Sequence, residues 1–238
     1  MGLYAIGDLH LPGGDQKPMD VFGAHWENHF DRIRADWQAR VGENDTVLIP
    51  GDISWAMQMR DALDDLARID EMPGRKLILK GNHDYWWSSI TQLRQALPPG
   101  IRAIQNDAAD VGEAVVCGSR GWVFPTGAGP LSPEDQKICQ RELLRLEMSL
   151  QAGEKLAAGR PLVVMMHYPP LYDMERDTCF TALLEKYPVH TVVYGHLHGA
   201  GIRVGFTGEH RGVRYRLVSC DSLDFRLAEI PLAENAHM

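Results

Sequence analysis

The sequence is short of several features that would point to other kinds of protein. Its four cysteines, Cys117, Cys139, Cys179 and Cys220, lie far apart with no C-x-x-C pair. That excludes a zinc ribbon or a disulfide framework and leaves reduced core cysteines as the expectation. Positive charge is in deficit: 24 Lys and Arg against 32 Asp and Glu leave a net charge of -8, so no general nucleic-acid surface is expected. No apolar run approaches the length of a membrane span. No basic stretch followed by a long apolar one opens the chain, so no signal peptide is expected and a soluble cytoplasmic protein is. The loop 120–129, rich in Gly and Pro, lacks the Gly-Lys-Ser/Thr ending of a phosphate-cradling loop. There is no internal repeat, low-complexity tract or long run of one charge.

What is present suits one large α/β domain over residues 1–238: 238 residues, 45% of them apolar, can bury a substantial core. Apolar runs at 3–6, 46–49, 76–80, 114–117, 161–166 and 191–194 read as strands. Between them, Phe22, Trp26, Phe30, Ile33, Trp37 and Val41 recur at spacings of four and three, an amphipathic helix with an aromatic stripe. Further helices are expected over 57–69, from near Trp86 through Ile90, Leu93 and Leu97, and over 178–186. Ser132-Pro133-Glu134-Asp135 reads as an N-cap, a proline at N1 and an acidic first turn, with the helix continuing through Leu146 and Leu150. Gly13-Gly14-Asp15 and Pro18 mark a loop, and 202–230 reads as a terminal β-meander. Strands alternating with helices argue for a layered α/β fold.

Chemistry gathers where these strands end. Asp8-Leu9-His10 follows the first; in extended chain, residues two apart share a side, so Asp8 and His10 can grip one ion. Gly51-Asp52 follows the second strand, Gly81-Asn82-His83-Asp84 the third, His167 a later one, and Gly195-His196-Leu197-His198-Gly199 the last of the alternating series. The Asn82 carbonyl oxygen suits a divalent cation, and the glycines let the backbone come close to an ion. Each motif alone has a plainer reading as a turn or surface residue. Together they place five of the ten histidines after strands, and ligands of open α/β sheets bind at the carboxyl ends of strands. Mixed imidazole and carboxylate donors suit Mn, Fe or Zn better than Ca or Mg. There are too many for one tetrahedral ion, and they divide naturally between two ions sharing Asp52. His25 and His29, four apart, flank the aromatic stripe with no Glu between them in zincin fashion, and read as surface or packing residues.

The order Asp-x-His, Gly-Asp, Gly-Asn-His-Asp, His, Gly-His-x-His resembles the calcineurin-like metallophosphoesterase family over residues 8–198. The resemblance implies a four-layer α-β-β-α sandwich, two mixed β-sheets packed face to face with helices outside, the terminal meander completing the second sheet. It implies that Asp8, His10, Asp52 and His198 hold one divalent or trivalent metal ion, and Asp52, Asn82, His167 and His196 a second. In that reading two cations about 4 Å apart bind a shared water and lower its pKa. The bridging hydroxide attacks phosphorus in line, His83 protonates the leaving oxygen or binds a phosphoryl oxygen, and Asp84 fixes the His83 ring or caps the Trp86 helix.

The substrate implied is a small phosphoester. The Asp-Arg-Gly that follows Gly-Asp in relatives acting on phosphoproteins or dinucleoside polyphosphates is replaced here by Asp52-Ile53-Ser54-Trp55, which argues against those activities. Phosphodiesterase activity is favoured, with phosphomonoesterase or nucleotidase activity and a non-catalytic metal-binding scaffold on the same fold as alternatives. A metal hydrolase of amides or lactams is a third class, but its His-x-His-x-Asp-His pattern is absent, since His198 is followed by Gly199-Ala200. Trp55, Tyr85, Trp86 and Trp87 are expected to pack in the core, with stacking on a base or aryl group the alternative. The loop with Trp122 and Phe124 can line the pocket.

Overall fold

The apolar runs pair into two sheets in the computed structural model, which describes residues 1–14, 19–127 and 129–232. The strands are Leu3–Ala5 (β1), Thr46–Ile49 (β2), Arg75–Ile78 (β3), Ile101–Ala103 (β4), Ala108–Asp110 (β5), Val115–Ser119 (β6), Leu162–Met166 (β7), Val189–Tyr194 (β8), Gly208–His210 (β9), Val213–Leu217 (β10) and Ala228–Glu229 (β11). The α-helices are His29–Arg40 (α1), Met59–Asp70 (α2), Ile90–Ala96 (α3), Pro133–Ala157 (α4) and Cys179–Leu184 (α5). One sheet runs β11-β1-β2-β3-β4 and the other β5-β6-β7-β8-β10-β9. Strands β1 to β4 are mutually parallel, as are β6, β7, β8 and β10; β11, β5 and β9 pair antiparallel at the edges.

The inner strands are apolar throughout because both of their faces are buried. Alternate side chains go to different layers. Leu48, Leu77, Val116, Val163, Met165 and Val193 form the layer between the sheets. Val47, Ile49 and Ile78 face outward onto Ile33 and Trp37 of α1 and Leu66 of α2. Val164, Val192 and Tyr194 face the other way onto Leu146 and Leu150 of α4 and Phe180 of α5. The result is the expected four-layer α-β-β-α sandwich.

Several sequence expectations are corrected. The terminal stretch does not form one meander: β9 and β10 join the second sheet, while β11 crosses to pair with β1 in the first. The aromatic stripe is helical only from His29, because short 3-10 turns at Met19–Phe22 and Ala24–Trp26 precede α1. Trp26, Phe30, Ile33 and Trp37 are buried as expected, but Phe22 is exposed. The helix expected near Trp86 begins at Ile90, where the Ser89 hydroxyl accepts from the Gln92 amide. Asp84 therefore caps no helix. The Ser132 cap is as read, its hydroxyl accepting from Asp135 N ahead of Pro133. The four cysteines are free, three of them buried. Asp15, Pro18 and Ala128 of the expected loops lie outside the described residues. Among those described, no helix is long and apolar enough to cross a membrane.

Candidate metal centre

Parallel strands in both sheets deliver their ends to one edge of the sandwich, and the two sheets are joined there. Gly7 N donates to the Val218 carbonyl at 2.7 Å and Cys220 N to the Gly7 carbonyl at 3.1 Å. Asp8 N donates to Gly51 and His10 N to Asp52, each at 3.0 Å, so the segments after β1 and β2 run side by side. The chain turns sharply at these points. Asp8, His10, Asp52 and His196 all hold left-handed backbones, with φ of 58°, 46°, 51° and 74°, a conformation that costs a non-glycine residue free energy and clusters at functional sites. Two glycines make room: a Cβ on Gly81 would collide with the Asp52 carboxylate, and one on Gly195 with the Asp8 carboxylate.

Seven side chains converge as a result. His10 Nε2 lies 3.3 Å from His198 Nε2, and His198 Nε2 lies 3.4 Å from Asp8 Oδ1. Asn82 Oδ1 lies 2.6 Å from His167 Nε2 and 2.8 Å from His196 Nδ1. Asp52 Oδ2 sits between the two groups, 3.9 Å from His10 Nε2 and 3.5 Å from His167 Nε2. One donor atom each from Asp8, His10 and His198, and likewise from Asp8, Asp52 and His167, lies within 4.8 Å of the others, close enough to share an ion.

Outer partners fix the rings. His167 Nδ1 hydrogen-bonds the Pro50 carbonyl at 3.0 Å. A carbonyl only accepts, so Nδ1 carries the proton and Nε2 presents a lone pair to the cage. His198 Nδ1 donates to Asp221 Oδ1 at 2.9 Å, and Gly199 N donates to Asp221 Oδ2 at 3.0 Å. Asp221 was not singled out in the sequence, although it closely follows β10 as the other motif residues follow their strands. His167 thus turns a lone pair into the cage, and the Nδ1 proton of His198 faces outward to Asp221, an orientation of both rings that fits a cation pair.

Electrostatics point the same way. Burial and the nearby Asp8 charge push Asp52 up to about 8. Burial would raise Asp8 too, but the hydrogen bond and charge of His198 hold it well below the usual carboxylate range. Burial drives His10 down to about 3, and burial with His167 drives His196 down to about 4. His198 goes the other way: burial opposes its charge, yet Asp221 and Asp8 lift it to about 10. Protons at Asp52 and His198 occupy a site in which cations can take their place.

Asp84 and His83 lie beside the cage with different surroundings. Asp84 is fully buried and accepts from the amides of Gly81 (2.7 Å), Asp52 and Ile53 (2.9 Å each) and Ser54 (3.3 Å), and from the Trp86 indole (3.0 Å). Among the described residues no hydrogen bond joins it to the His83 ring, so it orders the two loops rather than that imidazole. His83 N donates to Asp52 Oδ1 at 2.8 Å. Its ring, 5.9 Å from that of His10, makes no hydrogen bond among the described residues and faces a cavity of about 450 Å³. Burial and His167 lower the pKa of His83.

The aromatic residues divide. Trp86 and Trp87 are core. Trp55 stacks on His10 with ring centres 4.8 Å apart, approaches His83 to 4.5 Å and walls the cavity, as do Trp26, Phe22 and His25. His29 donates to the Leu9 carbonyl at 2.8 Å, a packing role as expected. Trp122 lies against Tyr168, which covers His196 at 4.2 Å, while Phe124 is buried against Phe180 and Tyr172 and lines no part of that cavity.

Known proteins resemble this chain at several levels. The phosphopantetheinyl hydrolase of Mycobacterium tuberculosis superposes with a TM-score of 0.59 at 16% identity, covering 100% of this chain and 98% of that one. A protein of unknown function from Aquifex aeolicus superposes with a TM-score of 0.51 at 14% identity, covering 96% of this chain and 95% of its own. At those identities the likeness is one of fold. The gene 66 protein of Mycobacterium phage L5 is 35% identical over 79 residues, 32% of this chain and 37% of that relative, so the match spans little more than a third of the relative's length. The family model for calcineurin-like phosphoesterases matches residues 1–200. Every strand-end motif from Asp8 to His198 falls inside that match, and the chain belongs to the calcineurin-like phosphoesterase family of metal-dependent phosphoester hydrolases.

Proposed function

We propose that residues 1–238 act as one domain that hydrolyses a small phosphodiester at a pair of Mn, Fe or Zn ions. Asp8, His10, Asp52 and His198 would hold one ion, and Asp52, Asn82, His167 and His196 the other. The observation that carries this reading is the position of Asp52 Oδ2 between His10 and His167, at 3.9 and 3.5 Å, where one oxygen serves both donor groups. When bound, such ions supply Lewis acidity, activating water and offsetting charge on the phosphoryl oxygens. His83 is held by its backbone bond to Asp52 and presents its ring to the cavity. With its pKa lowered, the neutral imidazole offers an N–H to a phosphoryl or leaving-group oxygen. Asp84 keeps the Asp52 and Gly81 loops in register so that carboxylate and imidazole meet the same substrate.

The cavity favours a diester. Its walls include Met19, Phe22, Trp26 and Trp55, and among the described residues neither Lys nor Arg lines it. A diester carries one charge and brings a second, uncharged ester arm, which suits an apolar wall better than a dianionic monoester does. A phosphopantetheinyl ester, the group named for the fold neighbour, belongs in the same panel. The free cysteines support a reducing compartment, the cytoplasm.

The test is turnover of metal-loaded protein on aryl phosphodiesters, aryl monoesters and a phosphopantetheinyl ester. Diesters should turn over fastest. His83→Ala should cost about 10²- to 10⁴-fold in kcat at unchanged metal content, and Asp52→Asn should abolish turnover. Activity that survives Asp52→Asn rejects the mechanism.

A further inference from the structure

A second cleft, of about 240 Å³, opens beside β3, β4 and β6, and its walls carry Lys80, Arg120, Arg141 and Arg145 with Glu142 as their sole carboxylate among the described residues. Four cations against one acid leave a local charge of +3 on a chain whose net charge is -8. Glu142 is 1% exposed and its Oε1 already serves three guanidiniums, Arg145 at 2.8 Å, Arg120 at 3.7 Å and Arg141 at 3.8 Å, while Oε2 accepts from Ser119 Oγ at 3.0 Å. Its capacity is spent. The Arg120 Nε is buried without a hydrogen-bond partner, and the half-buried Lys80 side chain, drawn at a distance toward Asp84 and Glu142, makes no hydrogen bond or ion pair among the described residues. Like charges gathered in a half-buried cleft repel unless something negative joins them.

We propose that this cleft binds an oxyanion of the phosphate type, either free phosphate or a further phosphate group of the substrate. Guanidinium forks match tetrahedral oxyanions in geometry, and an ammonium adds a point charge. The cleft is smaller than the roughly 300–1,000 Å³ of a drug-sized ligand pocket, so it takes a phosphate or pyrophosphate group rather than a whole nucleotide. It also touches the chains that carry the metal cage. Lys80 immediately precedes Gly81-Asn82, and the Arg120 carbonyl accepts from His167 N at 3.2 Å and Tyr168 N at 2.9 Å.

Calorimetric titration of chelator-treated protein with inorganic phosphate and with pyrophosphate reads this cleft without the metal cage, so its outcome is independent of the phosphodiesterase reading. Binding should be saturable and should weaken with added salt. Lys80→Gln should weaken it about tenfold or more, and removing an unpartnered lysine breaks no ion pair of the fold. Arg145→Gln gives a second check, and Arg60→Gln, on α2 outside the cleft, should bind as wild type. If the ligand is a second phosphate of the substrate, Lys80→Gln raises KM for a doubly phosphorylated substrate and spares a singly phosphorylated one. If it is free phosphate, both KM values hold while binding is lost. Absence of saturable binding by the wild type, or wild-type affinity in both Lys80→Gln and Arg145→Gln, overturns the proposal.

Discussion

Asp221 accepts the Nδ1 proton of His198 at 2.9 Å, and this bond points His198 Nε2 at Asp8 and His10. Asp221→Asn preserves shape but removes the charge that orients the imidazole. Metal affinity should fall about 10- to 100-fold, with most turnover restored at saturating metal. Competition against a chelating dye measures this, and an unchanged affinity would remove Asp221 from the site.

Metal loading should release protons. His198, lifted to about 10, and Asp52, raised to about 8, both hold a proton at pH 7 in the cation-free chain. His10 and His196, at about 3 and 4, have none to give. Affinity should therefore climb as pH rises from 7 toward 10. Calorimetry in buffers of different ionisation heat counts the protons; uptake instead of release would contradict the assignment.

Asp84→Asn should damage the fold before the chemistry. The carboxylate accepts four backbone amides and one indole, and a carboxamide turns an NH₂ toward some of those donors. A loss of about 3 kcal/mol or more is expected from the stranded donors. Urea denaturation reads it, and an unshifted midpoint would mean that the loops after β2 and β3 are held by something else.

Trp55→Ala should separate cavity from cage. The ring walls the cavity and stacks on His10. KM for aryl diesters should rise about tenfold, since stacking on one aromatic side chain is worth roughly 0.5–1.5 kcal/mol beyond the area it covers. The metal content should hold, because Trp55 is no donor. Equal KM values for the variant and the parent protein would place the ester arm elsewhere.

Most of the strand-end chemistry was legible because a glycine beside a carboxylate, amide or imidazole after an apolar run marks a backbone that must turn where two sheets meet; His167, with no glycine beside it, was legible only from its place directly after a strongly apolar run. Asp221 escaped because it lies in a 3-10 turn with no glycine ahead of it. Trp86 misled: its spacing to Ile90 and Leu93 is helical, yet its indole is drawn to Asp84 and the chain stays irregular until Ser89 supplies a cap. The strands β4 and β5 are three residues each, too short for periodicity to speak. The departure of β11 to the other sheet is a tertiary choice, made by pairing with β1 rather than by anything in its own residues.

The left-handed backbones at Asp8, His10, Asp52 and His196 reach beyond catalysis. Each costs of order 1–3 kcal/mol, against a whole-domain stability of roughly 5–15 kcal/mol. Ions that bind only the folded chain offset that burden by mass action. Metal removal should therefore lower the stability of the folded chain: pulse proteolysis in chelator should cut it faster than in excess Mn, so that the abundance of the protein follows metal supply.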